Sequence, residues 1–210
     1  MKLFLASSLD KTLPLLLKRI EKPAQELKVL FIPNAADPME NAWWVDLDKK
    51  AFRNEGCQIA EIDLRKISTE ELTKQIENAD ILHVCGGSVF YLLSLLKEKG
   101  FDQVIIDSVR NNKILYTGTS AGSIICASTA WLYLFDVEEA KFAEGMKDLS
   151  GLRLVNFLII PHCENPRFTE SNKNMIVENL PKHSDPVFLL YDSQAVWVED
   201  EKFELLSNEL

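Results

Sequence analysis

Five consecutive residues, Gly118-Thr119-Ser120-Ala121-Gly122, carry the first chemical possibility in this 210-residue chain. A serine hydroxyl is a weak nucleophile, and it attacks a carbonyl carbon only when a base takes its proton. A Gly-x-Ser-x-Gly turn between a strand and a helix presents the hydroxyl for that purpose. The turn is tight and strained, so its flanking positions must be small, and it exposes the side chain at the carboxyl edge of a sheet. The context is present: "KILYT" before Ser120 reads as a strand and "AGSIICAS" after it as a helix. The N-terminus of that helix would aim free N–H groups at the same spot. A serine that merely opens a helix, or binds an anion there, fits the pentapeptide too. The rest of the chain must therefore supply a base, an acid and an oxyanion hole.

Three histidines compete for the base: His83, His162 and His183. His162 follows "FLII" and Pro161 at the end of an apolar strand, which puts it at the same carboxyl edge as Ser120. His83 lies inside the strand "ILHVC" and reads as a core or sheet-face residue. His183 sits in the polar loop "PKHSDP" and reads as a solvated surface residue. The base in turn needs a carboxylate to fix its tautomer and stabilise the imidazolium. Asp136, Glu138, Glu139, Glu144 and Asp148 all fall between Ser120 and His162, and spacing does not choose among them. Two N–H donors must face the oxyanion. Ala121, next after the serine, offers one; Gly87, in the strand-end turn "HVCGGSVF", offers the other.

The elements that would position these residues follow an alternating pattern. Apolar runs at 2–7, 28–35, 57–64, 80–87 and 113–118 read as strands, and the segments 10–22, 40–56, 68–79 and 88–100 between them as helices. Ser68 with Glu71 forms a capping-box signature at the third helix. Repeated strand–helix alternation implies right-handed crossovers and a mostly parallel sheet with helices on both faces, a three-layer α/β fold. Residues 130–150 read as a long excursion with short helical pieces, 154–162 as a buried strand and 167–180 as a helix. The alternating end, 187–207, reads as an antiparallel hairpin at a sheet edge. No repeat or linker interrupts the chain, so 1–210 is expected to be a single domain. Trp43 and Trp44 read as core and rim of the second helix.

Composition narrows the function classes. Apolar residues make up 47% and charged residues 26%, enough for a real core. The net charge of −9 lacks the basic balance of a nucleic-acid binder. Four scattered cysteines without a Cys-x-x-Cys pair fit reduced thiols of a cytoplasmic protein, and the histidines show no metal-ligand spacing. No segment is long enough to span a bilayer. The expectation is a cytoplasmic protein, monomer or homodimer, with a small-molecule substrate, no metal, no cofactor and neither membrane nor nucleic-acid partner.

Four blocks, "VCGGSVFYLL", "GTSAGSIICA", "LIIPHCENPR" and "LLYDSQAVWV", occur in the order and approximate spacing of the serine peptidase family of dipeptidase E (aspartyl dipeptidase) and cyanophycinase, and the chain resembles that family over essentially its whole length. The resemblance implies a flavodoxin-like α/β fold, like that of the class I glutamine amidotransferases. It also implies a Ser–His–acid triad without metal, and hydrolysis of short peptides or isopeptides, in some members at aspartyl residues. By position Ser120 matches the family nucleophile, His162 its histidine, and Gly87 with Ala121 the oxyanion donors. Asp136 is the nearer match to the acid of the dipeptidases, in "Phe135-Asp136-Val137-Glu138" without the usual proline; Glu138 matches the glutamate of cyanophycinase-like members by spacing. The loop reads Gly-Gly-Ser88-Val89 where the family has Gly-Gly-Asn-Thr. Ser88 and, farther on, Arg167 are the substrate-binding candidates, the arginine as a bidentate partner for a carboxylate. Those departures also fit a catalytically weak relative that binds a small ligand or partner. An ordinary α/β-hydrolase fits poorly, because His162 follows Ser120 by only 42 residues (162 − 120).

Overall fold

Alternation along the first strand already divides the molecule into layers. A computed structural model of the chain describes residues 1–182 and 184–208; His183 and its expected surface position lie outside the described residues. In β1 (Lys2–Ala6), Leu3 and Leu5 enter one apolar cluster while Phe4 and Ala6 enter another on the opposite face. The parallel strands β2 (Lys28–Ile32), β3 (Gln58–Glu61), β4 (Ile81–Val84) and β5 (Leu115–Thr119) join it. With the antiparallel hairpin β8 (Gln194–Glu199) and β9 (Lys202–Ser207) they form a seven-stranded sheet in the order β3-β2-β4-β5-β1-β8-β9.

Helices α1 (Leu9–Leu17) and α2 (Trp43–Asn54) cover one face of the sheet. The other is covered by α3 (Thr69–Glu77), α4 (Val89–Lys99) and α5 (Phe101–Arg110). The capping box at α3 has both halves: Glu71 N–H donates to Ser68 Oγ, and Ser68 N–H to the Glu71 carboxylate. Residues 101–110, assigned to no element above, form α5 because Gly100 takes a left-handed conformation (φ 70°) that ends α4 and starts a new helix at once.

Three expectations at the carboxyl edge need correction. The helix after Ser120, α6, is only Ala121–Ile124, because the carbonyls of Ile125, Cys126 and Ala127 accept from backbone N–H groups of residues 152–155. The strand expected at 154–162 is correspondingly short: β6 is Leu158–Ile160. It lies outside the large sheet, paired in parallel with β7 (Val187–Leu189). The terminal hairpin therefore begins at Gln194 rather than Val187, and a turn at 190–193 separates it from β7.

The intervening segments carry short helical turns, among them α7 (Val137–Ala140) and α8 (Thr169–Lys173). Beyond α8 the turns widen over Asn174–Asn179, where the Asn179 side-chain amide bonds the Asn174 carbonyl. Among the described residues no helix is long and apolar enough to cross a membrane.

A very close backbone approach lies under Ser120. A Cβ on Gly122 would stand 2.1 Å from Val84 O, and one on Gly118 would stand 2.5 Å from Gly122 O. Buried Tyr116 donates to Gly122 O at 2.6 Å, and Ser123 Oγ lies 2.8 Å from both Ala6 O and Gly118 O. Gly122→Ala should therefore lower stability by roughly 3 kcal/mol, read as a drop in the urea midpoint. A midpoint matching wild type would contradict this close packing.

Candidate active site

Ser120 sits at the end of β5 with φ 50° and ψ −111°, a backbone conformation that L-residues rarely adopt. Such a residue costs of order 1–3 kcal/mol and persists only where its surroundings enforce it. Here the enforcement is Ser120 N–H donating to Ala6 O at 3.1 Å, together with the glycine approach below it. The Ser120 hydroxyl has no hydrogen-bond partner among the described residues, and it faces a cavity of about 200 Å³.

His162 lines the same cavity. It follows β6 and Pro161 and is also held at positive φ, 60°. Its ring stacks on Phe168 with centroids 4.6 Å apart. Its backbone N–H donates to Ser7 Oγ at 2.9 Å, and the Asn172 amide donates to its carbonyl at 3.3 Å. Both faces of the backbone and the plane of the ring are thereby fixed.

The carboxylate beside this ring is Asp192, not Asp136 or Glu138. Asp192 Oδ1 lies 2.5 Å from His162 Nδ1, and Ser7 Oγ donates to the same oxygen at 3.2 Å. The other oxygen pairs with Lys11 Nζ at 3.2 Å. Burial alone would raise the Asp192 carboxyl, but the bonds and charges of His162 and then Lys11 hold it well below the usual carboxylate range. Its backbone N–H donates to Glu164 Oε1 at 2.7 Å. With Nδ1 committed to Asp192, Nε2 is the nitrogen left to exchange a proton with a nucleophile.

Asp136 caps α7 instead. Its Oδ1 accepts from the N–H groups of Glu138 and Glu139, and its Oδ2 accepts from Ser171 Oγ at 2.6 Å. Its oxygens are thus engaged away from the imidazole, although Asp136 and Glu138 both line the cavity wall. Asp192 lies outside the segment between Ser120 and His162 that supplies the acid candidates of the sequence, and a continuous hairpin over 187–207 would bury the position in a strand. Tyr191-Asp192-Ser193, two turn-forming residues between apolar runs, was the available signal.

Gly87 lines the cavity, and Ala121 opens α6 directly after Ser120. Among the described residues neither backbone N–H has a protein partner. Gly87 has φ 151°, and a Cβ there would stand 2.1 Å from Ala35 O, so glycine is required. Ser88 does not line the cavity. Its side chain is fully buried, accepts from Tyr91 N–H at 3.3 Å and donates to Glu139 at 3.0 Å, which corrects its expected contact with substrate. Arg167 does line the cavity, exposed, with its guanidinium 5.7 Å from the Phe168 ring centroid; among the described residues no carboxylate pairs with it. Trp43 and Trp44 both line it, Trp44 with its indole N–H bonded to Gly86 O at 2.9 Å and Trp43 half exposed.

Under the site lies a buried polar group. His83 Nε2 is 3.2 Å from Asp48 Oδ2, and Cys85 Sγ donates to that oxygen at 3.3 Å. His83 Nδ1 meets Thr117 Oγ1 at 2.9 Å. Asp48, His83 and Cys85 bring three metal-ligand atoms within 4.8 Å. Burial pushes the Cys85 thiol well up, Asp48 adding to the rise, so it is held as a hydrogen-bond donor.

Comparison with known proteins places the chain in a family. The model of peptidase family S51 matches residues 3–206. The chain is 31% identical over 196 residues to an uncharacterized peptidase of Listeria monocytogenes, covering 93% of each chain. It is 28% identical over 189 residues to peptidase E of a Nostoc species, covering 86% of this chain and 73% of that one. Among solved structures, a candidate peptidase E protein of Listeria monocytogenes superposes with a TM-score of 0.89 at 27% identity, over 99% of this chain and 98% of the other. The chain belongs to peptidase family S51 and is a serine peptidase.

Proposed function

We propose that this peptidase cleaves short peptides through an acyl-enzyme on Ser120, with His162 as general base and Asp192 as its orienting acid. The observation that carries the proposal is the bond between His162 Nδ1 and Asp192 Oδ1, which turns the other ring nitrogen free in the cavity that Ser120 lines. As Ser120 Oγ bonds to the carbonyl carbon, its proton passes to His162 Nε2. The C–N bond then breaks and the same proton leaves with the amine. Water repeats the sequence to release the acid. Asp192 remains an anion throughout and balances the imidazolium. The N–H groups of Gly87 and Ala121 receive the negative charge that develops on the carbonyl oxygen.

Arg167 gives the cavity an unpaired cation suited to a substrate carboxylate, from a peptide C-terminus or an aspartyl side chain. A short substrate fits a cavity of about 200 Å³ whose remaining wall is largely apolar and acidic.

A fluorophosphonate probe should label wild type at Ser120 and leave Ser120→Ala unlabelled; a folded but unlabelled wild type would overturn the proposal. Asp192→Asn should lower kcat by about 10²–10⁴, and Asp136→Asn by far less. The reverse ranking would restore Asp136 as the acid. Arg167→Met should raise KM by roughly 10-fold or more for peptides with a free carboxylate and leave their amides little changed. Equal losses on both would remove the carboxylate assignment.

A further inference from the structure

The loop that bears the Gly87 donor is tied down on both sides. Trp44 Nε1–H donates to Gly86 O at 2.9 Å, and that carbonyl belongs to the same peptide unit as the Gly87 N–H. A trans peptide points the two groups in opposite directions, so anchoring one aims the other. On the downstream side Ser88 N–H donates to Ala35 O at 2.8 Å. Two further donors, Ser88 Oγ–H at 3.0 Å and Val89 N–H at 2.9 Å, converge on one atom, Glu139 Oε2. Ser88 Oγ also accepts from Tyr91 N–H at 3.3 Å, so the loop and the first turn of α4 are drawn to the same carboxylate.

We propose that Glu139 is a positioning residue for the oxyanion site: through Ser88 and Val89 it holds the loop so that the Gly87 N–H stays aimed into the cavity. The proposal rests on the acyl-transfer reading of Ser120. It also accounts for the loop sequence. A short hydroxyl at 88, turned inward to Glu139, replaces the Asn-Thr pair seen in the family the chain resembles. The carboxylate comes from α7, 50 residues downstream of Val89. Asp136, which caps α7 and accepts from Glu139 N–H at 3.3 Å, sets where it arrives.

The charge of Glu139 is met by donors alone. Among the described residues no lysine or arginine pairs with it, and the titratable groups facing it, Asp136 from the cap of α7 and the Tyr133 phenol from the turn before, are acidic. The start of the eleven-residue α4 supplies backbone N–H groups and the positive end of its dipole. Burial pushes the Glu139 carboxyl up to about 7 and Asp136 adds to the rise, while the bonds from Ser88, Val89 and Phe90 oppose it.

The test compares Glu139→Leu, which removes the acceptor, with Glu139→Gln, which keeps an oxygen in place. Affinity for an alanine-based dipeptide boronic acid, which forms an oxyanion on Ser120, should fall about 10²-fold in the leucine variant. The glutamine variant should stay within about 10-fold of wild type, the amide oxygen still accepting both bonds. Binding of the corresponding unreactive peptide, measured in a Ser120→Ala background, should move by less than about 3-fold, since a ground-state carbonyl draws little on the oxyanion donors. A leucine variant with wild-type boronate affinity, or with equal losses for boronate and peptide, would overturn the proposal.

Amide exchange gives a second readout that needs no catalysis. The Val89 N–H should exchange at least about 10-fold faster in folded Glu139→Leu. Unchanged exchange would dismiss the anchor whether or not Ser120 reacts. A boronate-inert wild type with accelerated Val89 exchange would instead remove the acyl-transfer reading and, with it, the oxyanion role of the loop. The raised carboxyl adds a pH signature. The unfolded chain loses this proton near 4.5 and the folded one near 7. Wild-type stability relative to Glu139→Gln should therefore fall as pH rises between those values and level off above. A flat difference would mean a solvated carboxylate and contradict the buried contact.

Discussion

One hydroxyl, Ser7 Oγ, joins the parts of this molecule that matter most. It accepts from His162 N–H, donates to Asp192 Oδ1, and sits at the carboxyl end of β1, one residue past the carbonyl that receives Ser120 N–H. Strand β1 is central in the large sheet, while His162 and Asp192 follow the two strands of the small one. Without a contact of this kind, the serine and the imidazole would belong to separate pieces of secondary structure. A buried hydroxyl that satisfies two partners at once is costly to remove, because each partner would be left unpaired in a dry environment.

Backbone strain gathers at the same place. Ser120 and His162 both hold positive φ, and neither is a glycine. The surrounding packing that enforces this is mostly backbone against backbone: Gly122 against Val84 and Gly87 against Ala35. Such contacts tolerate no added methyl, which explains why Gly122 and Gly87, both near one serine, are structural requirements rather than a composition bias. Around this fixed centre the cavity lining combines one arginine, Arg167, with the carboxylates of Asp136, Glu138 and Glu139 among others.

Much of this was legible in the sequence. Strand and helix periods gave the parallel sheet and its two covering layers, since each run is buried on a face the alternation prescribes. Ser120, His162, Gly87 and Ala121 could be placed because each follows directly from the end of a strand. The acid could not be placed in that way. Asp192 lies in a turn between two apolar runs whose pairing partners, β6 for one and β1 for the other, are far apart in sequence, and local alternation is blind to a change of partner. Asp136 failed for a related reason: a short polar side chain before a helix is as good a cap as a triad member, and its neighbours Glu138 and Glu139 supplied N–H groups to be capped. Ser88 is a substrate-binding candidate only through its place in the family's Gly-Gly loop, whereas its partner is Glu139, 51 residues away.

The small sheet has a mechanical consequence. Because His162 and Asp192 leave parallel neighbours, β6 and β7, that are hydrogen-bonded to each other, any drift of this two-stranded unit carries imidazole and carboxylate together. Slack between the layers then changes the gap from ring to hydroxyl without disturbing the ring's tautomer. Tautomer and reach are thereby set by different joints of the scaffold, and evolution can adjust one while leaving the other alone.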